Sequence, residues 1–285
     1  MKIYELLEFF KAQGTWVNWN KTVDQILFGS PETIIKGISV GWKPTIQNLK
    51  EAYNRGHNLF ITHEPLYIAE KNKFGVVYGG LVKKFDKPLE AKYFLEEDDC
   101  WLQKKQWLES TEMVVLRCHD FWDDYPDIGI HGSWAKWLGF TEKPIEQMKF
   151  YEVHDLGGIT LKDLLKQLQP KLKKLGQPVF QFIGDLEKKV QKIGLGTGAI
   201  TDYRIMLRMG ADVLVLTDDG TCLWESGQFA YESGIPIIVV NHAVGEVPGI
   251  RALARFLKSN FPDLEIAPII DGCLTKFWGE NGEIL

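Results

Sequence analysis

The sequence predicts an α/β protein built on mainly parallel sheets. Short runs of β-branched and aliphatic residues alternate with amphipathic stretches of helical periodicity, which is the pattern of parallel strands joined by crossover helices. The chain has 285 residues, enough for one large domain or two ordinary ones. Its 45% hydrophobic content is that of a globular protein that can bury a sizeable core. We expect two α/β domains, the first over residues 1–145 and the second over residues 146–285.

The individual elements follow from caps, glycines and apolar runs. A helix is predicted where a capping residue precedes an amphipathic run that ends at a glycine, as between Thr45 and Gly56. In the first half we predict a helix over 2–13, a strand over 34–41, a helix over 45–55, a strand over 59–62, a helix over 88–110, a strand over 113–117 and a helix over 133–138. In the second half we predict a strand over 149–153, a helix from Thr160, strands over 178–183 and 189–195, a helix ending at Gly210, a strand over 212–217, a helix over 228–233, a strand over 237–240 and a helix over 248–259.

Composition argues against several classes of protein. No apolar run approaches the roughly 18 to 20 residues that span a bilayer, and Glu5 and Glu8 interrupt the apolar core that a secretory signal needs. The four cysteines are scattered without a CxxC pair, which indicates free thiols rather than a disulfide framework or a zinc ribbon. The net charge is −5 and the basic residues are dispersed, so no surface for nucleic acid is predicted. We expect a cytoplasmic protein that binds neither membrane nor nucleic acid.

One pattern of polar residues occurs in both halves of the chain. In each half a buried strand leads to a histidine, and a carboxylate follows four residues later at the start of a helix. The two pairs are His119 with Asp123 and His242 with Glu246. In each half the preceding strand also ends in polar residues, which are His63-Glu64 and Asp218-Asp219. Ligands of open α/β sheets bind where the carboxyl ends of strands meet, so this repeat predicts internally similar domains that carry a functional site.

These residue types suit divalent metal ions. First-row divalent metals favour neutral imidazole together with carboxylate oxygen. The four-residue spacing places both side chains on one face of a turn that enters a helix. Six such ligands can hold two ions about 3.5 to 4 Å apart. The predicted metal ligands are His63, Glu64, His119, Asp123, His242 and Glu246.

Each signal also has a structural interpretation. A histidine at a strand end is often only a hydrogen-bonded structural residue. His57, His131 and His154 lack the strand-end pattern and are interpreted as surface or structural residues. The Gly194-x-Gly196-x-Gly198 stretch is not a complete dinucleotide-binding fingerprint. It can cradle phosphate at a helix N-terminus or allow a strand to pack tightly on a helix, and the sequence leaves both open.

Three motifs together carry a resemblance to a known family. They are Ile61-Thr62-His63-Glu64-Pro65, His119 to Asp123 with Gly129 and Gly132 following, and Asn241-His242-Ala243-Val244-Gly245-Glu246. Over nearly its whole length the chain resembles the dinuclear-metal hexameric proteins related to Ngg-interacting factor three, which are often described as type 2 homologues of GTP cyclohydrolase I. It looks like a divergent member, because Glu64 stands where the family has a second histidine.

The resemblance implies an architecture and a ligand set. It implies two interlinked domains with a metal site between them, a C-terminal segment that packs back on the first domain, and a toroidal hexamer. It gives the ligand role to His63, His119, Asp123, His242 and Glu246. At position 64 a carboxylate oxygen replaces imidazole, and this change favours Mn or Fe.

The predicted activity is metal-dependent hydrolysis of a small molecule. Metal lowers the pKa of a bound water toward 7, and Glu64 or Glu246 would act as the general base. We expect two divalent ions per chain, either Zn, Fe or Mn. The expected substrate is a nucleotide or pterin-like ring, a phosphoester or an amide, and only the resemblance suggests the cyclohydrolase reaction. The alternative is a non-catalytic, metal-stabilised oligomeric scaffold or binding protein, whose metal sites would have no open coordination position.

Overall fold

The chain folds into two compact units. A computed structural model describes residues 1–66, 69–72, 75–78, 81–83 and 99–279. The first unit comprises the described residues of Met1–Trp122 together with Leu253–Ile269. The second comprises Asp123–Ala252 and the stretch that begins at Ile270. Within the described ranges, no helix combines the length and the apolar character needed to cross a bilayer.

Helices and strands alternate along most of the chain. The described helices are α1 (Ile3–Gln13), α2 (Ile46–Asn54), α3 (Asp99–Glu109), α4 (Asp120–Asp123), α5 (Ile130–Leu138), α6 (Leu161–Lys173), α7 (Tyr203–Arg208), α8 (Gln228–Ser233) and α9 (His242–Asn260). A π-helical turn over Leu223–Gly227 leads into α8. The described strands are β1 (Ile26–Phe28), β2 (Gly37–Gly41), β3 (Leu59–Thr62), β4 (Ala69–Asn72), β5 (Gly75–Tyr78), β6 (Leu81–Lys83), β7 (Val114–Arg117), β8 (Glu146–Met148), β9 (Tyr151–Thr160), β10 (Gln181–Ile183), β11 (Lys189–Gly196), β12 (Val213–Thr217), β13 (Ile237–Val240) and β14 (Glu265–Ile269).

The first unit is built on a mainly parallel sheet. Its described strands run in the order β1-β7-β3-β2-β14, and only β1 pairs antiparallel with its neighbour. Every residue of β2 and β3 is buried, which explains why these strands read as continuous apolar runs rather than as an alternating pattern. Leu49 of α2, Phe60 of β3 and Val115 of β7 belong to one core cluster. Strands β4, β5 and β6 form a separate antiparallel sheet.

The second unit has a mixed sheet with a parallel centre. Its strand order is β10-β13-β12-β11-β9-β8. Strands β11, β12 and β13 are parallel, whereas the outer strands pair antiparallel. Helix α6 begins at Thr160, whose hydroxyl accepts the N–H of Asp163 at 3.1 Å. Its buried residues Leu164, Leu168 and Leu172 join the sheet in one apolar core.

The mixed α/β fold predicted from the sequence is confirmed. The predicted strands over 59–62 and 237–240 match β3 and β13 in full. The last long helix differs from the prediction, because α9 begins at His242 rather than at 248 and contains Pro248. Proline is common at the first position of a helix, but Pro248 lies inside α9, six residues after its start. Of the helix predicted over 88–110, residues 88–98 lie outside the described residues.

Candidate metal centre

His63 and Glu64 follow β3 at the carboxyl end of the first sheet. Beyond the end of β3, the backbone of these two residues still hydrogen-bonds to the end of β2 and the residue after it. The N–H of His63 donates to the carbonyl of Gly41 at 3.2 Å, and the N–H of Glu64 donates to that of Trp42 at 2.8 Å. Arg117, the last residue of β7, donates from Nε to the His63 carbonyl at 3.1 Å, and its Nη2 lies 3.7 Å from Glu64 Oε2. Both neighbouring strands therefore fix this segment.

A buried carboxylate holds the start of α4, just after His119. Asp24 Oδ1 accepts the N–H of His119 at 2.5 Å and that of Asp120 at 3.1 Å, and Oδ2 accepts the N–H of Phe121 at 2.7 Å. These donors have no partner inside the helix, so Asp24 acts as their cap. Burial raises the pKa of Asp24, and the hydrogen bonds that it accepts from the backbone N–H groups of His119 and Phe121 oppose the rise. Asp123 ends this one-turn helix, so the cap positions both members of the first predicted pair.

The imidazoles of His63 and His119 stack on each other in the first unit. Their centroids are 4.4 Å apart and their planes differ by 15°. His63 Nδ1 lies 3.3 Å from the Cys118 carbonyl, and His119 Nδ1 lies 3.1 Å from Asp120 Oδ1. The hydrogen bond from His119 lowers the pKa of Asp120 to about 2, so this carboxylate is charged. Because both partners are acceptors, each Nδ1 carries the proton and each Nε2 is the nitrogen suited to a metal.

His242 is the first residue of α9 and is held in the same way. Its N–H donates to Asp218 Oδ1 at 3.0 Å, and its Nδ1 lies 2.7 Å from Asp219 Oδ2. Its Nε2 lies 2.9 Å from Oε1 of Glu246, one helical turn further on. Gly198 has φ +82°, and a Cβ there would lie 3.6 Å from Glu246 Oε1 and 3.8 Å from His242 Nε2. The glycine therefore leaves room beside the pair.

Two buried groups of histidine, aspartate and glutamate side chains can hold a metal ion in the described part of the chain. One is built on His63 and His119 with the adjoining Asp123, and the other on His242 and Glu246. His63 is 1% exposed and Glu246 is 2% exposed, so these donors are poorly hydrated by the solvent. A set of imidazoles and carboxylates suits first-row divalent metals. The residues present therefore fit the kind of ion predicted.

A sequence model of the Duf34/NIF3 family (NGG1p interacting factor 3) matches residues 101–271, more than half of the chain. The chain belongs to the DUF34/NIF3 family. The matched range includes His119, Asp123, His242 and Glu246, whereas His63 and Glu64 precede it. No curated protein matches the sequence.

Several solved structures share this fold. The hypothetical protein SA1388 of Staphylococcus aureus is 18% identical, with a TM-score of 0.70 over 94% of this chain and 95% of that one. The protein ybgI, of unknown function, is 21% identical, with a TM-score of 0.70 over 94% of this chain and 98% of that one. A Bacillus cereus protein related to NIF3 is 12% identical, with a TM-score of 0.71 over 97% of this chain and 98% of that one. At these identities the likeness concerns the fold alone.

The glycines at 194 and 196 are explained by close packing. A Cβ on Gly194 would lie 2.9 Å from Met206 Cβ and 3.0 Å from Ala211 Cβ. A Cβ on Gly196 would lie 2.7 Å from Thr201 Cγ2. Of the two interpretations left open by the sequence, tight packing of β11 on the segment that follows it therefore accounts for both residues.

Sequence reasoning missed the residues that orient the histidines. Asp24 carries no motif and lies far along the chain from His119, so only the folded chain reveals their contact. Asp120 was passed over inside the His-x-x-x-Asp motif, although a carboxylate next to a histidine is a usable signal. Asp219 was noted at a strand end, but its bond to His242 depends on the pairing of β12 with β13.

His57 lies inside the first unit, before the start of β3. It is 2% exposed, its Nδ1 lies 2.9 Å from the Ser39 hydroxyl, and its Nε2 lies 3.6 Å from Glu265 Oε1. Burial lowers the pKa of His57 despite the opposing attraction of Glu265. The folded protein therefore keeps this imidazole neutral at a pH where the unfolded chain would protonate it.

We expect His57 to make the folded state less stable as the pH falls below about 6.5, the pKa of an unperturbed histidine. There the unfolded chain binds a proton that the folded chain does not, so the free energy of unfolding falls with pH, by at most about 1.4 kcal/mol per pH unit. Above that range the contribution is constant. Urea denaturation between pH 5 and pH 8 measures it, in the wild type and in His57→Asn, which retains a polar atom near Ser39. Equal slopes in the two proteins would contradict the expectation.

Proposed function

We propose that this protein is a hydrolase that binds two divalent metal ions and acts on a small molecule. The proposed ligands are His63, Glu64, His119, Asp123, His242 and Glu246. One observation carries the proposal. Each of the three histidines has its Nδ1 against an oxygen acceptor, provided by the Cys118 carbonyl, Asp120 or Asp219. This second layer of acceptors fixes the ring and raises the basicity of Nε2, as at metal sites generally.

The proposed ions are Zn, Fe or Mn. Three imidazoles and three carboxylates form a mixed nitrogen and oxygen set, and the carboxylate at position 64 favours Mn or Fe over Zn. When bound, such ions lower the pKa of a coordinated water and polarise the substrate. Glu64 or Glu246 would serve as the general base. Arg117, 3.7 Å from Glu64 Oε2, balances the charge of that carboxylate.

The metal content of the purified protein tests the proposal. Elemental analysis is expected to find about two first-row metal ions per chain, in line with a two-metal site. His242→Ala and Asp123→Ala each remove one ligand and are expected to lose at least one ion per chain under the same dialysis. His57→Asn is the matched control, because it changes a buried histidine outside both groups and should keep the wild-type content.

An absence of metal in the wild type, with no uptake of Zn, Mn or Fe on titration, would refute the proposal. Equal metal content in the wild type and in both variants would show that His242 and Asp123 are not metal ligands. Chelation then separates the hydrolase from the alternative scaffold. Loss of hydrolysis of small esters or amides on chelation, restored by added metal, supports the enzyme, whereas a fall in melting temperature without any hydrolytic activity supports a metal-stabilised scaffold.

A cytoplasmic homo-oligomer, in the form of a hexamer, is part of the same proposal. Trp224 is 87% exposed in the π-helical turn, and Tyr231 is 84% exposed on α8. Large aromatic residues are enriched in interfaces between subunits. Their exposure in a single chain agrees with an assembly that would cover them.

A further inference from the structure

Arg117 places a positive charge beside two proposed metal ligands. It is the last residue of β7, where it pairs with Thr62 of β3, and its N–H donates to the Gln25 carbonyl at 2.9 Å. From this fixed backbone its Nε donates to the His63 carbonyl at 3.1 Å. A guanidinium keeps its proton throughout the physiological pH range. The segment that carries His63 and Glu64 therefore lies next to a permanent cation.

The guanidinium is paired with the carboxylate of Glu64. Its Nη2 lies 3.7 Å from Glu64 Oε2, and among the described residues no other carboxylate forms an ion pair with it. The side chain of Arg117 is 12% exposed and that of Glu64 is 10% exposed. Salt and solvent screen such a pair much less than they screen an exposed one. Arg117 therefore compensates the charge of Glu64 within the protein itself.

Backbone hydrogen bonds hold Glu64 without help from Arg117. The N–H of Glu64 donates to the Trp42 carbonyl, and its own carbonyl accepts the Thr62 hydroxyl, each at 2.8 Å. These two bonds keep the segment in place when the guanidinium is removed. The distinct contribution of Arg117 to Glu64 is therefore its charge rather than the orientation of the backbone.

The charge of Arg117 acts against a metal ion at Glu64. A divalent ion bound by Glu64 would share this carboxylate with the guanidinium, and two cations on one carboxylate repel each other. In the metal-free protein the same guanidinium only stabilises the carboxylate. Arg117 thus favours the metal-free protein over the metal-bound protein, and a group that favours the free state lowers the affinity for the ligand.

We propose that Arg117 sets the metal affinity of the proposed centre by serving as the counter-ion of Glu64, with which a metal ion must compete. The inference deepens the proposed function and rests on it, because the competition exists only if Glu64 is a metal ligand. Its consequence is a centre that binds an ion less tightly than its ligands alone would. Such an ion exchanges with the surroundings, and its occupancy follows the supply of metal.

Titration of the full chain with Mn²⁺ against a competing chelator tests the proposal. Arg117→Gln removes the charge but keeps an N–H donor, and it is expected to bind Mn²⁺ at least about fivefold more tightly than the wild type. Arg117→Lys is the matched control, because it keeps the charge and is expected to bind no more tightly than the wild type. A purely structural role of Arg117 would instead weaken binding in Arg117→Gln.

Melting temperatures of the metal-free protein test the pairing itself. Arg117→Gln and Glu64→Gln are each expected to lower the melting temperature, because each leaves a partly buried charge without this counter-ion. The double variant is expected to lose less than the sum of the two single losses, since it removes both charges together. Strictly additive losses would show that the two side chains are not coupled, which would overturn the proposal.

Equal or weaker binding of Mn²⁺ by Arg117→Gln would also overturn it, as would an equal gain in affinity by Arg117→Lys. Should Arg117→Gln fail to fold, the ¹⁵N resonances of the Arg117 guanidinium in the wild type replace it. Their position is expected to change on loading with Zn²⁺, and an unchanged position would count against the competition. Uptake of metal with equal affinity in wild type and Arg117→Gln would refute this inference alone, whereas no uptake by any of these proteins would refute the proposed function as well.

Discussion

Asp24→Asn is expected to lower the free energy of unfolding by about 2–4 kcal/mol. The carboxylate accepts three backbone N–H groups at the start of α4 and is 5% exposed. An amide has one acceptor oxygen, and its NH₂ group would face a donor. At least one buried N–H would therefore lose its partner, and the bonds that remain would no longer be assisted by charge. Urea denaturation of metal-free protein measures the loss.

The same change is expected to weaken metal binding, because Asp24 holds the backbone of His119. Removing a group that orients a metal ligand typically costs about 10–100-fold in affinity, which a competitive chelator titration would detect. Asp263→Asn is the matched control, since Asp263 is exposed and its variant should stay within about 0.5 kcal/mol of the wild type. If Asp24→Asn equals this control in both measurements, the cap contributes to neither stability nor metal binding.

Trp122→Ala is expected to destabilise the protein by about 3–5 kcal/mol, the usual cost of removing a buried tryptophan side chain. Trp122 is fully buried, and its ring lies 5.3 Å from that of Phe256 and 6.1 Å from that of Phe121. Alanine would leave a cavity that these rings can fill only partly. Thermal and urea denaturation of metal-free protein measure the loss directly.

Two variants bracket this expectation. Trp122→Phe retains an aromatic ring and should lose less than the alanine variant, because less volume is left empty. Trp278→Ala removes the same side chain from a position that is 76% exposed and should change the free energy of unfolding by less than about 0.5 kcal/mol. If Trp122→Ala and Trp278→Ala were alike, burial at Trp122 would not be a source of stability.

Local patterns were sufficient for much of the fold. β3 and β13 are short runs of buried, largely apolar residues next to turn signals, and their bounds follow from that contrast. β9 was predicted to end at Val153 but continues to Thr160. Gly157 and Gly158 both have positive φ inside this strand, and its pairing with β11 is irregular nearby. A glycine that permits a turn also permits a distorted strand, and the partner strand decides between them.

The candidate site likewise contains residues that local sequence patterns predict and residues that only the tertiary structure reveals. His119 with Asp123 and His242 with Glu246 were found because their spacing is local, although α9 starts earlier than Pro248 suggested. Asp24 was not found, because its contact with His119 arises from tertiary structure. The role of Arg117 could not be predicted either. Its contact with Glu64 depends on the pairing of β7 with β3, and no local pattern in the sequence reports which strands are neighbours.

The path of the chain through the first sheet has a consequence for synthesis on the ribosome. β14 pairs in parallel with β2, although most of the sequence lies between these two strands. The strands of the second sheet, β8 to β13, are contiguous in sequence and are all made before β14. β2 therefore keeps one edge of unpaired N–H and C=O groups until β14 has emerged, which is a hazard for aggregation. A nascent chain stalled before Glu265 would therefore carry an open sheet edge that a chaperone could shield.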